Sequence, residues 1–204
     1  MYVPGYTKQG DEADLLALMR EHPFATLVTA PNGRPFATHL PLMTEKHGDD
    51  LVLMSHMARA NPQWQHFGEG ETLAIFHGPH ALVSSVLYDS LPNVPTWNYA
   101  VVHAYGQAEV ITGAREREIA YKLVAEHTPE MEPIPADFER RLMAAVVTFE
   151  LRVTRLEGKF KLSQNKDARD RANVIRGLSQ SEHDEERATA ELMQGLEARK
   201  ERDR

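Results

Sequence analysis

Residues 51–62 of the chain read LVLMSHMARANP, and this stretch decides more about the fold than any other. Its first four residues form an apolar run of the kind that is typical of a buried strand. Asn61 and Pro62 are the residue types preferred at the N-cap and at the first position of a helix. The stretch therefore predicts a buried strand with a polar end, followed directly by a short helix that ends at Gly68.

Similar segments predict six or seven short strands, at residues 24–29, 36–43, 51–54, 72–76, 81–84, 97–111 and 146–153. Asn32-Gly33 predicts a hairpin turn between the first two strands, and Gly78-Pro79 predicts a turn between the fourth and the fifth. Helices are predicted at residues 12–21, 114–127 and 137–144 and again beyond residue 165. Because helices do not alternate regularly with strands, this order predicts a mainly β protein, an antiparallel barrel with peripheral helices.

The composition narrows the class of protein. The chain has 204 residues, 42% of them hydrophobic, which is enough for a sizeable core. It has no cysteine, so disulfides, thiolate nucleophiles and Cys-ligated metals are excluded. The N-terminus does not resemble a signal peptide, and no apolar run approaches the ~20 residues of a membrane span. We therefore expect a cytoplasmic protein with no membrane segment. The net charge of −7 disfavours broad electrostatic attraction to nucleic acid.

The polar end of the 51–62 stretch combines a hydroxyl, an imidazole and a guanidinium with a capped helix start. Backbone N–H groups at a helix start attract anions, and an adjacent Arg can hold a phosphate through two parallel hydrogen bonds. Ser55, His56, Arg59 and Asn61 are therefore candidate phosphate ligands. The alternative interpretation is a solvated turn with an ordinary N-cap.

Two further segments carry candidate binding residues. Trp97 follows a Pro-rich loop and could stack on a planar ring, or could anchor that loop in the core. Residues 159–166 mix cations with amides and a hydroxyl, and this pattern could bind an anion, close a dimer interface or form a surface turn.

Histidine and proline patterns bear on metal and DNA binding. No pair among the ten histidines has the His-Glu-x-x-His spacing, and although His77, His80 and His103 could converge, we predict no metal site. Pro129, Pro133 and Pro135 interrupt the region that would have to form a helix-turn-helix. Direct DNA binding remains possible, although the net charge does not support it. It would depend on one basic neighbourhood, which comprises Lys159, Lys161, Lys166, Arg169, Arg171 and Arg176.

Several blocks together resemble the PaiB family, the FMN-binding negative transcriptional regulators of protease production and sporulation. The blocks are residues 1–4, 24–28, 39–42, 56–64, 75–81, 94–99 with 102–106, and 156–165. The runs ARANPQW at 58–64 and GKFKLSQN at 158–165 are the most specific of them. The resemblance covers residues 1–178, in order, and leaves 179–204 as a polar C-terminal helical tail.

The resemblance implies a homodimeric, FMN-binding split β-barrel, with the flavin nucleotide at the dimer interface. By analogy, Ser55, His56, Arg59 and Asn61 hold the phosphate, and the strand with His39 and Leu40 runs beside the isoalloxazine. The residues expected from the partner subunit are Trp97, Lys159, Lys161, Gln164 and Asn165. No catalytic residue is assigned.

The implied function is negative transcriptional regulation through flavin or redox sensing. One alternative is a flavin-dependent oxidoreductase that acts on a small molecule. Another is a haem-binding or haem-degrading protein, for which the candidate ligands are His39, His56, His77, His80 and His103.

Overall fold

The computed structural model describes residues 1–128 and 134–202, which contain eight β-strands and five α-helices. The strands are β1 (Lys8–Gln9), β2 (Phe24–Thr29), β3 (Phe36–Pro41), β4 (Met43–His47), β5 (Asp50–Ala58), β6 (Thr72–Val83), β7 (Thr96–Ile111) and β8 (Val146–Lys161). The helices are α1 (Glu12–Glu21), α2 (Ala114–His127), α3 (Ala136–Ala145), α4 (Ala168–Ser179) and α5 (Asp184–Arg202). Short 3-10 helices lie at Gly5–Thr7, Pro31–Gly33, Pro62–His66 and Ser85–Leu87.

The strands form one sheet in the order β3-β2-β6-β7-β8-β5-β4, and β1 pairs with β8. β2 pairs with β3 and β6, and β5 pairs with β4 and β8, in each case antiparallel. β3 lies at one end of this order, where the missing amide hydrogen of Pro41 is tolerated. The predicted mainly β, antiparallel fold is confirmed.

Two glycines lie inside continuous strands. The turn predicted at Gly78-Pro79 is wrong, because β6 runs through both residues. Gly78 and Pro79 are neighbours and are both buried, so the alternation of buried and exposed residues along β6 shifts by one residue there, as it does at a β-bulge. The chain does not reverse its direction at this point. β7 likewise continues through Gly106, where an added Cβ would lie 2.0 Å from the carbonyl oxygen of Arg152 in β8. Gly106 is therefore required by the close approach of two backbones.

The chain divides into two compact units. Unit 1 comprises Met1–Leu15, His77–Val102 and the described residues from Glu157 onward. Unit 2 comprises Leu16–Phe76 and the described residues of His103–Leu156. Of the three prolines predicted to interrupt the 114–144 region, Pro129 and Pro133 lie outside the described residues, and Pro135 directly precedes α3.

In unit 2, α2 packs on β4 and β5. The apolar contact is made by Met43, Met54, Ile119 and Leu123, all of them buried. Ion pairs border this contact, and in one of them the ammonium of Lys122 lies 2.9 Å from the carboxylate of Glu45. The apolar face of a surface helix thus supplies much of the unit's core.

In unit 1, a buried carboxylate anchors the loop that precedes β7. Asp170, in the first turn of α4, accepts hydrogen bonds from the backbone N–H of Asp89 at 2.7 Å and from the hydroxyl of Ser90. α5 contributes the buried residues Ala190 and Met193. The predicted helical tail is therefore packed over part of its length, and the division at residue 178 stays a prediction. No helix within 1–128 or 134–202 is long and apolar enough to cross a membrane.

Candidate functional site

The loop after β5 is fixed by the predicted N-cap. The Asn61 side chain accepts a hydrogen bond from the backbone N–H of Gln63 at 3.0 Å. Its amide nitrogen donates to the hydroxyl of Thr38 in β3 at 2.8 Å. Asn followed by Pro starts the helix because the Asn side chain satisfies an N–H that lacks an intrahelical partner. One side chain thus caps the 3-10 helix and ties it to the strand predicted to run beside the flavin.

Arg59 is exposed at the end of β5, and its side chain binds backbone carbonyls at the C-terminus of α3. Its Nε donates to the carbonyl oxygen of Ala144 at 2.8 Å, and Nη2 donates to that of Val146 at 2.5 Å. A guanidinium has five N–H donors, so these two bonds leave Nη1 and one Nη2 hydrogen unused. Arg59 therefore holds a fixed orientation and retains donors for an anion.

Ser55 and His56 are neighbours on β5, so their side chains point to opposite faces of the sheet. Ser55 is buried and donates to the carbonyl oxygen of Pro41 at 2.6 Å. Its single hydroxyl hydrogen holds the end of β3 and is therefore not free to bind a phosphate.

His56 is half-buried and lies directly across from Thr148 of β8. Nδ1 of His56 and the hydroxyl of Thr148 are both buried, and neither has a hydrogen-bond partner. Burial lowers the pKa of His56 below its ordinary value, which favours the neutral ring at pH 7. Buried polar atoms usually have partners, so this end of β5 retains hydrogen-bonding capacity that the chain itself does not use.

The two candidates on β3 differ in exposure. His39 is exposed, with Nδ1 3.0 Å from the hydroxyl of Thr26, so Nε2 remains for another partner. Leu40 is buried in the core. His39 can therefore offer its side chain to a ligand at this edge, whereas Leu40 can offer only its backbone.

Gln63 is a positioning residue that the sequence analysis did not single out. Its side chain is fully buried, and Nε2 donates to the carbonyl oxygens of Leu27 at 2.9 Å and Phe36 at 3.2 Å. It also lies 3.3 Å from the hydroxyl of Thr29. Gln63 thereby fixes the 3-10 helix to the β2–β3 hairpin. The only sequence signal was its place after the Asn-Pro cap.

The other predicted residues belong to unit 1, where the structure brings three of them together. Nζ of Lys161 donates to the hydroxyl of Thr96 at 2.6 Å and to the carbonyl oxygen of Trp97. Burial lowers the pKa of Lys161, and the nearby charge of Lys159 lowers it further. Lys159 itself lies over the ring of Tyr99, 5.3 Å from its centroid.

The Trp97 indole is 53% exposed, so the interpretation of Trp97 as a core anchor is wrong. Its ring lies beside that of His80, with the ring centroids 6.0 Å apart. An exposed indole whose backbone is held in place is suited to stacking on a planar ring.

The turn after β8 is stabilised by its own side chains. The Gln164 amide accepts from the backbone N–H of Leu162 at 2.7 Å and donates to the carbonyl oxygen of Phe160. Ser163 has a φ of 61° and exchanges hydrogen bonds with the fully buried Asn98. Gln164 therefore shapes the turn, and Asn165 is exposed.

The cations of the basic neighbourhood make contacts within the protein, and two of them form ion pairs. Arg171 forms a two-point ion pair with Glu197, with both N–O distances 3.0 Å, and Arg169 lies 2.5 Å from Asp89. The remaining four cations each contact a polar group or a ring: Lys159 with Tyr99, Lys161 with Thr96, Lys166 with Asn93 and Arg176 with Asn173. Within the described chain these contacts compete with binding to DNA phosphates.

Within the described residues, the histidines are not grouped as metal ligands. Over residues 1–128 and 134–202, no group of three or more His, Asp or Glu side chains is arranged to hold a metal ion. Nδ1 of His80 lies 3.5 Å from Glu185, and Nδ1 of His103 lies 3.3 Å from the hydroxyl of Tyr105.

The groups around Arg59 fit the phosphate end of a flavin nucleotide. A phosphate needs several N–H donors, and the unused guanidinium hydrogens of Arg59 can supply them. His56, three residues before Arg59, is half-buried, although its Nδ1 atom is buried and is not itself accessible to a ligand. This chemistry suits an oxyanion better than an apolar ligand.

Comparison with known proteins agrees with this chemistry. Residues 1–155 match the model of a protein family described as "Putative FMN-binding domain". The chain is 36% identical to the Bacillus subtilis (strain 168) protein named Protease synthase and sporulation protein PAI 2, across 95% of this chain and 97% of that protein. It is 26% identical to the uncharacterized protein AN0679 of Emericella nidulans, across 87% of this chain and 90% of that protein.

Two solved structures share the fold. The flavocytochrome Anf3 from Azotobacter vinelandii superimposes with a TM-score of 0.61 and 21% identity, across 84% of this chain and 78% of that chain. The FAD and heme binding protein from Mycobacterium smegmatis also has a TM-score of 0.61, with 19% identity, across 81% of this chain and 78% of that chain. These likenesses confirm the predicted flavin-type split β-barrel.

Proposed function

Because the chain belongs to the PaiB family and carries its FMN-binding domain, we propose that it is a cytoplasmic homodimer that represses transcription and uses FMN as its sensing group. FMN is the cofactor that the family implies, and when bound it supplies redox chemistry that no amino-acid side chain can perform. The protein contributes binding, orientation and the route from cofactor to response.

The observation that carries the proposal is the state of the Arg59 side chain. It is exposed, held by two carbonyl oxygens and left with unused N–H donors. A donor already fixed in place loses little side-chain entropy when it binds an anion. In the proposed site, Arg59 and His56 bind the phosphate, Asn61 fixes the loop, and His39 and the backbone of Leu40 contact the ring system.

The partner subunit completes the proposed site with its copy of the unit 1 residues. Trp97 is exposed, while Lys161 holds its backbone carbonyl. This arrangement supports a stacking role for the indole in a dimer. Lys159 and Asn165 supply polar groups, and Gln164 shapes the turn that carries them. Size-exclusion chromatography with light scattering should give a mass near twice the 23.1 kDa of the chain.

Regulation is proposed to be indirect. The cations of the basic neighbourhood are engaged within the protein, and the net charge is −7. DNA phosphates would have to compete with those internal contacts. If a change in the flavin is instead passed on to another protein or small molecule, these cations do not have to release their internal contacts.

The test of the site compares FMN with riboflavin, which has the same ring system and no phosphate. Flavin fluorescence quenching should give a dissociation constant in the micromolar range or below for FMN. Substitution Arg59→Ala should weaken FMN binding about tenfold or more, since a hydrogen bond to a charged group contributes ~1.5–3 kcal/mol. Riboflavin binding should change little, and the exposed Arg20→Ala serves as the matched control.

Two results would contradict the proposal. One is the absence of quenching at tens of micromolar FMN. The other is that Arg59→Ala weakens the binding of FMN and of riboflavin by the same factor, which would mean that Arg59 does not bind the phosphate. Sustained NAD(P)H oxidation by the FMN-loaded protein would instead favour the alternative function, a flavin-dependent oxidoreductase.

A further inference from the structure

α3 is a helix whose stability depends on its ends. None of its residues is buried, and its apolar side chains Phe138 and Leu142 are 44% and 45% exposed. An isolated helix of ten residues is only marginally stable in water, because its few hydrogen bonds do not offset the unfavourable free energy of helix nucleation. Core packing therefore contributes little to this helix, and the contacts at its termini matter more.

At the C-terminus of α3, one residue binds several backbone carbonyl groups. The last carbonyl groups of a helix have no intrahelical partner. Here Arg59 donates to three consecutive carbonyl oxygens: Nε to Ala144 at 2.8 Å, its backbone N–H to Ala145 at 2.8 Å, and Nη2 to Val146 at 2.5 Å. A cation at this end of a helix is also favoured by the helix dipole.

The other end of Arg59 is fixed as well. Its carbonyl oxygen accepts a hydrogen bond from the indole N–H of Trp64 at 3.1 Å, so the 3-10 helix holds the backbone that carries the guanidinium. The side of the guanidinium that faces α3 is Nε and Nη2, and the remaining donors lie on the Nη1 side. An oxyanion can bind those donors while the carbonyl contacts stay in place.

We propose that the C-terminus of α3 positions Arg59 for the phosphate of the cofactor, so that FMN and α3 stabilise each other. This inference rests on the proposed function, since it takes Arg59 as the phosphate ligand. Coupling of this kind is reciprocal: a phosphate that immobilises Arg59 orders α3, and an ordered α3 raises the affinity for phosphate.

The first measurement is amide hydrogen exchange across residues 136–147, with and without saturating flavin. FMN should slow exchange in α3 about fivefold or more, the lower end of usual coupling between two sites. Riboflavin, added to the same fractional saturation, should leave α3 unchanged because it has no phosphate. Equal slowing by both ligands, or no slowing while FMN quenching is complete, overturns the proposal.

The second measurement lowers the stability of α3 by a side-chain change that keeps Arg59 and the backbone carbonyl groups it binds. Ala144 is exposed, so Ala144→Gly removes no core contact and lowers only the helix propensity, by an amount equivalent to about a fivefold change in an equilibrium constant. The FMN dissociation constant should rise by up to about that factor while the riboflavin constant stays fixed. The control is Ala125→Gly, an equally exposed position in α2, which should change neither constant.

The outcomes distinguish a failure of the proposed FMN site from a failure of its coupling to α3. If FMN does not bind at all, the proposed function fails and the coupling fails with it. If FMN binds normally, Arg59→Ala weakens it, and Ala144→Gly leaves the FMN constant unchanged, the phosphate site stands and the positioning role of α3 is refuted.

Discussion

Replacing Gln63 by Glu is the sharpest test of how the 3-10 helix after β5 is held. The change keeps the volume of the side chain and replaces its only donor group by an oxygen. In the native protein Nε2 faces three acceptors: the carbonyl oxygens of Leu27 and Phe36 and the hydroxyl of Thr29, at 2.9, 3.2 and 3.3 Å. The side chain is fully buried, so water cannot replace the lost partners.

The expected loss of stability follows from those three contacts. The amide nitrogen has two hydrogens to share among these acceptors, so at ~1 kcal/mol for each hydrogen bond Gln63→Glu should lower the free energy of unfolding by about 2 kcal/mol. That is a large part of the ~5–15 kcal/mol typical of a folded domain, and it should move the urea midpoint down by about 1 M. Burial raises the pKa of the introduced carboxyl, and its protonated form can donate one hydrogen bond. The loss should therefore be smaller at pH 5 than at pH 8.

The matched control is Gln65→Glu, since Gln65 is exposed in the same 3-10 helix and the change in charge is identical. Urea unfolding, followed by tryptophan fluorescence, should place this control within about 0.5 kcal/mol of the native protein. If the two variants unfold at the same urea concentration, Gln63 does not hold the helix to the hairpin.

Two other predictions concern stability and pH. Gly106→Ala would place a Cβ 2.0 Å from the carbonyl oxygen of Arg152, and should lower the melting temperature by about 10 °C or more. Gly70→Ala, which meets no atom within 4 Å, should change it little, and equal melting temperatures would refute the close approach. Burial lowers the pKa of His56, so the unfolded chain takes up a proton more readily and stability should fall as the pH drops below the ordinary histidine pKa of about 6.5. His56→Gln should flatten that decline in urea midpoints between pH 7 and 5, whereas the control His47→Gln should not.

The sequence predicted the elements whose signals are local. The strand at 24–29 and the helices at 12–21 and 114–127 were predicted with the boundaries that the structure has. The last strand was predicted to end at Val153 but continues to Lys161. Its second half is polar, and β1 pairs there, with Lys8 opposite Lys159. That partner lies some 150 residues away along the chain, so no local pattern could reveal it.

The sequence predicted which residues belong to the candidate site but not which contacts they make. Sequence placed Ser55 and His56 side by side as phosphate ligands, yet strand geometry sends them to opposite faces. Which face is buried depends on β3 and β8, which meet β5 only in the folded sheet. Gln63 was missed for the same reason, since its importance lies in its contacts with Leu27 and Phe36.

Arg59 and Arg171 differ in how their charges are compensated, and this difference bears on which of them can bind an added anion. Arg171 has a carboxylate as its partner, so a DNA phosphate would have to displace Glu197 and leave that charge exposed beside another anion. Arg59 instead contacts neutral carbonyl oxygens, which compensate its charge only in part. An oxyanion that approaches Arg59 therefore adds an attraction without breaking an ion pair, and the carbonyls that hold the guanidinium transmit the event to α3.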